Sequence, residues 1–298
     1  AQFHRLMQGA HNSLLENRVA RNALEARKVV TRLFHFLTIE YFLKQLIDRN
    51  VYKSIFERGE LFLEFSLDQL PEFFSHAALR TGHSMIRDRY ALNALGNVVH
   101  LKNLFNGSIP IPVKNRVYWP KLFSFFDDAE KALSLDTILA TDLAAVPFHG
   151  RKICLPQLNL EAGRQVGLET GIQWVDKLKG KHAKKLDKIK LEALTNEDLE
   201  KATFKEIVND ISELELWPYL LLEAQTKGDG DCLGVLGSLM VGEVIFHAIQ
   251  SSGSGVIVEG EYDFHKVEEL FTREQLFLFG LENPIYRKLE MKNIIQLV

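Results

Sequence analysis

The stretch that decides the fold is His76-Ala-Ala-Leu-Arg80-Thr-Gly-His83-Ser-Met-Ile-Arg87. If this stretch is helical, positions 76, 80, 83 and 87 share one face, because they are spaced by four, three and four residues. Two histidines and two arginines on one face, between apolar neighbours, suit an anion or a metal ion better than a hydrophobic core. The alternative is a solvated polar stripe with its histidines at the surface, and the residues alone leave both interpretations open.

The composition is that of an ordinary globular chain. The 298 residues are 46% hydrophobic and 25% charged, with a formal net charge of -3. These values argue against intrinsic disorder and against nucleic-acid binding through bulk charge. Two cysteines, Cys154 and Cys232, are too few for a disulfide-built scaffold. The most apolar stretch, 233–249, holds Glu243 and His247 and is shorter than the about 20 residues of a spanning helix, so no membrane span is predicted.

Apolar periodicity predicts a mainly α fold, organised as a single domain over 1–298. One stripe runs from Phe3 to Leu14 and a second from Ala26 to Tyr41, which predicts two helices at the start of the chain. Further helices are predicted over 71–86, 123–134, 195–226, 234–249 and 263–270, with a short strand at 256–258.

One basic run, KLKGKHAKKLDKIK at 177–190, stands out in this otherwise balanced sequence. It is a candidate for docking to an acidic partner or to a membrane surface. A solvated, mobile stretch is the interpretation that we favour from the sequence, because most charge runs are exposed faces without a partner.

Four segments, in the same order along the chain, carry a resemblance to a known family. They are AHNSLL with EARKVVTRLFHFLTIEYFLKQLI (10–15 and 25–47), ALRTGHSMIRDRYALN (78–93), LPQLNLEAGRQVGL (155–168) and ELWPYLLLEAQTKGDGDCLGVLGSLMVGEVI (215–245). The second segment is similar to the proximal-histidine helix of animal-type haem peroxidases, whose pattern is A-x-R-x-G-H-[ST]-M-[VI]-R. Together the four segments resemble this superfamily, and its bacterial branch in particular.

The resemblance implies an animal haem-peroxidase-like helical fold with few short strands, and haem b as the cofactor. His83 would be the axial ligand of the haem iron, and Asn159 would hold the other ring nitrogen of that histidine. Arg80 matches the arginine that pairs with a haem propionate, and Arg164 would serve the propionate side as well. Where the family usually carries a further arginine this chain has Ala162, so one propionate contact is missing or comes from elsewhere.

The activity implied by the resemblance is that of an oxidoreductase, which uses hydrogen peroxide to oxidise a small donor. Fatty-acid dioxygenases and cyclooxygenases share the superfamily, but they carry a radical-forming tyrosine three residues before the proximal histidine. This chain has Arg80 there, which favours the peroxidase branch.

The distal part of the family's haem pocket is not found in the sequence. By alignment with His11 and Asn12, a distal histidine, a calcium-binding aspartate and a G-D-x-R motif would all fall upstream of Ala1. The chain therefore resembles the proximal two-thirds of the family domain. It is interpreted as a fragment, as one of two chains with the distal half on the other, or as a degenerate homologue that binds haem or a partner without catalysis.

Three further expectations follow from the same reasoning. Calcium is expected only if the distal N-terminal part is present. Nucleic acid is not expected as a partner, given the charge balance. The location in the cell is left open, with the cytoplasm slightly favoured by the two cysteines and the lack of a visible signal sequence.

Overall fold

The computed structural model describes residues 2–66, 68–86, 88–91, 98–105, 137, 139–148, 150–202, 208–228, 232–272 and 275. Most of these residues are helical and the strands among them are short, so the predicted mainly α fold is confirmed. The chain divides into two compact units. Whether both belong to the single domain expected over 1–298 stays a prediction.

The α-helices are, in chain order, α1 (Gln2–Glu16), α2 (Ala23–Leu37), α3 (Lys44–Leu46), α4 (Arg49–Tyr52), α5 (Glu72–His76), α6 (Leu101–Phe105), α7 (Leu155–Gln165), α8 (Gly171–Ile189), α9 (Asn196–Leu199), α10 (Leu216–Lys227), α11 (Val235–Ser251) and α12 (Phe264–Glu268). Other helices are the π-helical segments Thr38–Leu43 and Lys53–Glu57 and the 3-10 helices Ala78–Met85, Thr141–Ala145 and Ile211–Glu213. Among the described residues, four short strands form two antiparallel pairs, β1 (Arg89–Ala91) with β2 (Val98–His100) and β3 (Val146–Phe148) with β4 (Arg151–Ile153).

The first unit comprises Ala1–Phe42, Pro112–Asp128 and Ile249–Val298. Within it α1 packs against α2, and the contact buries Leu14, Ala26 and Leu33, which belong to the two predicted apolar stripes. Helix α2 begins at Asn22, whose side chain accepts a hydrogen bond of 3.0 Å from the backbone N–H of Glu25. The two helices predicted at the start of the chain are therefore confirmed.

The second unit comprises Leu43–Ile111 and Ala129–Ala248, and its core contains α10 and most of α11. Leu220, Leu236 and Phe246 on these helices are fully buried, which confirms that the apolar stretch 233–249 is a core helix. Among the described residues no helix combines the length and the apolar character that crossing a bilayer requires.

Two of the predicted helices differ in extent from those observed. The helix predicted over 71–86 is two pieces, α5 and the 3-10 helix Ala78–Met85, separated at Ala77, whose φ of -129° and ψ of -68° are not helical. The helix predicted over 195–226 is α9, a 3-10 helix and α10, with non-helical residues among those described between them. Apolar spacing does not reveal such breaks, because all the pieces bury an apolar side.

The other predicted elements have mixed outcomes. The strand expected at 256–258 amounts to one bridge between Val258 and Glu261, while the helix expected over 263–270 is α12. The helix predicted over 123–134 lies outside the described residues. The β1–β2 and β3–β4 pairs were not predicted, since strands of three residues are too short to show an alternating pattern.

The basic run at 177–190 is helical up to Ile189, which corrects its interpretation as a mobile stretch. Its lysines are exposed as expected, but Leu178, Leu186 and Ile189 are buried. The lysines therefore lie on the solvent side of a helix that is packed onto the second unit.

Two buried glutamates of this unit, Glu223 and Glu243, each accept two backbone hydrogen bonds from another segment. Glu223 of α10 accepts hydrogen bonds from the backbone N–H groups of Leu236 and Gly237, at 2.8 and 3.1 Å, in the first turn of α11. A carboxylate is stabilised at a helix N-terminus by the orphan N–H groups and by the helix dipole. Burial nevertheless raises the pKa of Glu223 to about 7. A Cβ at Gly234 would overlap the Glu223 side chain, so glycine makes room for this capping interaction.

Glu243 of α11 is the second buried carboxyl group. It accepts hydrogen bonds of 2.9 Å from the backbone N–H groups of Phe62 and of Leu63. Burial raises the pKa of Glu243 to about 8. These two bonds fix the non-helical segment that leads into α5, and with it the start of the segment that carries His83.

Candidate functional site

His83 lies in the 3-10 helix Ala78–Met85, one turn after Arg80. With three residues per turn, side chains three positions apart stand over one another. Arg80 and His83 therefore lie on one side of this helix, as the sequence predicts. His76 belongs to α5, before the break at Ala77, and Arg87 lies outside the described residues. The predicted common face of four residues is thus confirmed only for its central pair.

Side-chain hydrogen bonds accompany the tight helix around His83. The hydroxyl of Thr81 donates to the carbonyl of Ala78 at 2.7 Å, and that of Ser84 donates to the carbonyl of Thr81 at 2.9 Å. Both hydroxyls are buried, and each one donates its hydrogen bond to the carbonyl three residues earlier in the chain. Such side-chain bonds to the backbone compete with the ordinary α-helical pattern, and they give the His83 backbone a defined position.

Asn159 of α7 meets His83 across the unit, far away in sequence. Its Nδ2 lies 2.8 Å from Nδ1 of the imidazole, and the asparagine is buried, with 2% of its surface exposed. Helix α7 begins with a proline in its first turn, a residue that suits the start of a helix. The structure thus brings together the two residues that the sequence resemblance pairs.

The amide orientation of Asn159 decides which nitrogen of His83 carries the proton. With Nδ2 donating to Nδ1, the proton of a neutral imidazole is on Nε2. A half-turn of the amide places Oδ1 against an Nδ1–H instead, which leaves the Nε2 lone pair available to a metal ion. Oδ1 is buried and has no hydrogen-bond partner within the described part of the chain. At 2.8 Å either orientation of the amide makes a hydrogen bond to Nδ1, so the distance is also compatible with the orientation that suits an iron ligand.

The electrostatic surroundings keep His83 neutral. Burial lowers the pKa of His83 below its ordinary value, and the positive charge of Arg80 lowers that pKa further. Nε2 of His83 has no hydrogen-bond partner among the residues that the structure describes. A neutral imidazole with a free nitrogen is the form that binds iron. The residues present therefore fit a haem iron on this side.

Arg80 is a half-buried cation that has no anionic partner in the described part of the chain. Its Nε donates to the carbonyl of Ser75 at 2.9 Å, and no carboxylate of the described residues lies within ion-pair distance of its guanidinium. Its remaining N–H groups are available to an external carboxylate. This matches the predicted role toward a haem propionate.

Arg164 is placed differently from Arg80. Its side chain is 62% exposed and pairs with Glu215, with the Nη2–Oε1 distance at 2.5 Å. It follows Asn159 by five residues on α7 and so projects from another side of the helix. Ala162, three residues after Asn159, lies on the side where the family's arginine would be. The structure does not bring Arg164 to His83, and its role toward a propionate stays a prediction.

Two exposed leucines are sequence neighbours of site residues, and the sequence analysis assigned neither of them a role in the site. Leu79, next to Arg80, is 57% exposed, and Leu158, next to Asn159, is 45% exposed. A Cβ at Gly82 would meet nothing within 4 Å, so open space lies beside His83. Open space edged by apolar side chains suits a large apolar ring such as a porphyrin.

A sequence model of the animal haem peroxidase family matches residues 24–252, which include His83, Arg80 and Asn159. The chain belongs to the animal haem peroxidase family. No curated protein matches the chain at a significant level. At the level of this family, haem binding and peroxidase-type chemistry are thereby supported, and the resemblance found in the sequence is confirmed.

No second candidate metal site is found in the part of the chain that the structure describes. Within the described residues no group of three or more His, Cys, Asp or Glu side chains converges to hold a metal ion. Cys154 and Cys232 are each partly buried and do not form a disulfide with one another. Calcium, expected only with the distal N-terminal part of the family domain, stays a prediction.

Proposed function

We propose that the chain is a haem-dependent oxidoreductase that uses hydrogen peroxide to oxidise a small donor, with haem b on His83. The observation that carries the proposal is the contact of 2.8 Å between Asn159 and Nδ1 of His83, made by an asparagine that is 2% exposed. Membership of the animal haem peroxidase family supports the same conclusion at a coarser level.

Each residue of the site has a defined part in this proposal. Nε2 of His83 would hold the haem iron, and the Asn159 oxygen would accept the Nδ1–H, which would fix both the tautomer and the plane of the imidazole. Arg80 would pair with one propionate through its remaining N–H groups. The exposed Leu79 and Leu158 would offer apolar surface to the macrocycle. The bound haem supplies the iron that accepts electrons from the donor and passes them to peroxide.

The amide of Asn159 sets how strongly His83 donates to the iron. An amide oxygen carries less negative charge than a carboxylate, so it draws the Nδ1 proton less and leaves the imidazole a weaker electron donor. The ferric state is then less stabilised than it would be with an aspartate in this position, and the iron has a higher reduction potential.

Peroxide cleavage also needs a group that moves a proton between the two peroxide oxygens, which contributes about 10² to 10⁴ in rate. We propose that this distal group, and any calcium, is supplied by a further segment of a longer protein or by a separate chain. The rival function is that of a haem-binding or interaction protein without catalysis. Both functions require haem binding and only the first requires turnover, so turnover has to be measured separately from binding.

The test is an absorbance titration of the purified chain with haem. We expect a sharp Soret band that saturates at one haem per chain, that is lost in His83→Ala and that returns when imidazole is added to this variant. The exposed His265 gives the matched control, since His265→Ala should titrate like the unaltered chain. A band that is indifferent to His83→Ala would refute the site. Saturable binding without peroxide turnover would favour the rival function.

A further inference from the structure

Helix α8 carries a positive surface that the haem chemistry does not use. We define the lysine face as Lys177, Lys181, Lys184, Lys185 and Lys188, all of them exposed. Four of these positions follow one another in steps of four, three and four residues, the spacing that keeps side chains on one side of a helix. The helix is kinked at His182, whose φ of -132° and ψ of 21° are not helical, so the lysine face has two halves.

Each half of α8 is held against the unit by its own buried residues. Val175 and Leu178 in the first half and Leu186 in the second are between 0% and 3% exposed. Lys184 and Lys188 stand two residues before and after Leu186, which places them on the opposite side of the helix from it. The second half of α8 therefore exposes its lysines to solvent, because its apolar side packs against the rest of the unit.

In the first half of the lysine face the charge is neutralised within the chain. Lys177 pairs with Glu169 at 3.0 Å, and Lys181 pairs with Glu64 at 2.8 Å. Such exposed pairs cancel most of the field that either charge would produce at a distance. The first half therefore adds little to any attraction of an anionic partner.

The second half keeps its charge. Among the described residues no carboxylate lies within ion-pair distance of Lys184, Lys185 or Lys188. Two acidic residues lie nearby: Asp187 is exposed on the same helix, and Glu60, which feels the charge of Lys188, pairs with Arg58 at 3.0 Å. The three lysines outnumber the one carboxylate on their half of the helix, so a net positive charge remains. With a rise of about 1.5 Å per residue, the three lysines lie within one Debye length of about 10 Å at 0.1 M salt. They therefore act on a partner as one concentrated positive charge.

The chemistry of this surface favours an anionic lipid bilayer over nucleic acid. Nucleic-acid sites combine arginine forks with exposed aromatic rings that stack on bases. Helix α8 contains no arginine, and the ring of its Trp174 is covered by Lys177 at 4.8 Å and by Phe73 at 5.1 Å. Lysines alone, as compact point charges, suit many diffuse monoanionic groups, and a cluster of them on one helix is typical of binding to acidic headgroups.

We propose that the second half of the lysine face docks the chain onto the anionic surface of a membrane. The apolar side of α8 is buried in the protein, so no part of this helix is available to insert into the acyl region. The attachment is therefore peripheral, reversible and sensitive to salt. It holds for the chain with or without haem, and goes beyond the proposed oxidation chemistry.

The test is co-sedimentation of the full chain with vesicles of phosphatidylglycerol and phosphatidylcholine, and with vesicles of phosphatidylcholine alone. We expect binding to the anionic vesicles at 0.05 M salt, and its loss at 0.5 M salt. Each lysine near a charged surface contributes about fivefold, so Lys184→Gln/Lys185→Gln/Lys188→Gln should bind about a hundredfold more weakly. The variant with arginine at these three positions should bind like the unaltered chain.

The matched control removes the same net charge elsewhere. Arg21, Arg27 and Lys28 are exposed in the first unit, and their replacement by glutamine should leave vesicle binding nearly unchanged. Thermal melts of all the variants establish that each one is folded. The proposal is overturned if the unaltered chain does not bind anionic vesicles, if the control variant loses as much binding, or if duplex DNA or polyglutamate binds more tightly than the vesicles.

Discussion

Glu243 makes the stability of the chain depend on pH, and one substitution should remove that part of the dependence. Burial raises the pKa of this carboxyl from 4.5 to about 8. A group whose pKa is raised on folding stabilises the native state fully below its unfolded pKa, and this stabilisation is lost as the pH rises through the folded pKa. Each pH unit within that window corresponds to about 1.4 kcal/mol. Between pH 5 and pH 7.5 Glu243 alone should lower the free energy of unfolding by about 3 kcal/mol.

Replacing Glu243 by glutamine gives a side chain of the same shape that does not titrate. Its single oxygen can accept from only one of the two N–H groups, of Phe62 and Leu63, that the carboxyl now serves at 2.9 Å. The other N–H is left unsatisfied, which costs about 1–3 kcal/mol. Near pH 5 the variant should therefore be the less stable protein, and by pH 7.5 the difference should close or reverse.

Urea unfolding followed by circular dichroism at several pH values measures this effect, provided that unfolding is reversible and the m-value is constant. Glu192→Gln is the matched control, because Glu192 is exposed in the same unit and its loss should give a curve parallel to that of the unaltered chain. Glu223 is present in all three proteins, so its own contribution cancels. Parallel curves for the unaltered chain and Glu243→Gln would refute the claim that burial keeps this carboxyl protonated.

Two further pairs of substitutions test the packing and the site. Gly171→Ala should lower the free energy of unfolding by about 1–3 kcal/mol or more, because the new Cβ would overlap the ring of Tyr219. Gly180→Ala on the same helix places its Cβ in open space and should raise the free energy of unfolding by about 0.5–1 kcal/mol. Calorimetric melts distinguish the two, and equal effects would contradict the overlap. Arg80→Gln should weaken haem binding about 10- to 100-fold through the loss of a charged hydrogen bond, whereas Arg164→Gln should leave it unchanged, since Arg164 pairs with Glu215. Haem titrations compare the affinities of the two variants. A larger loss of affinity in Arg164→Gln than in Arg80→Gln would contradict the assignment of the propionate contact to Arg80.

The helices that could be predicted are those whose apolar stripe is long. Leu14, Leu33 and Phe246 lie in such stripes, and the structure buries all three. The break at Ala77 could not be predicted in the same way. The break separates two helices that each bury apolar side chains, so the spacing of apolar residues continues across it. The 3-10 geometry that follows is accompanied by hydrogen bonds from the hydroxyls of Thr81 and Ser84, and residue spacing does not show which carbonyls these hydroxyls will bind.

The candidate site was predicted from resemblance rather than from spacing. His83 and Asn159 are far apart along the chain, and no local pattern links an asparagine on α7 to a histidine on a 3-10 helix. The pairing of Arg164 with Glu215 is equally non-local, so the sequence offered no reason to separate this arginine from Arg80. Local periodicity determines which faces are buried, whereas contacts between distant segments depend on how the whole unit packs.

The fit between Glu223 and Gly234 has a consequence for how this protein can change during evolution. The carboxyl reaches the start of α11 only because position 234 has no side chain. A larger residue at 234 would push the carboxyl away, while a shorter residue at 223 would leave the two N–H groups of α11 without an acceptor and make the glycine unnecessary. Among relatives, positions 223 and 234 should therefore covary. A homologue without an acidic residue at position 223 should tolerate residues other than glycine at position 234.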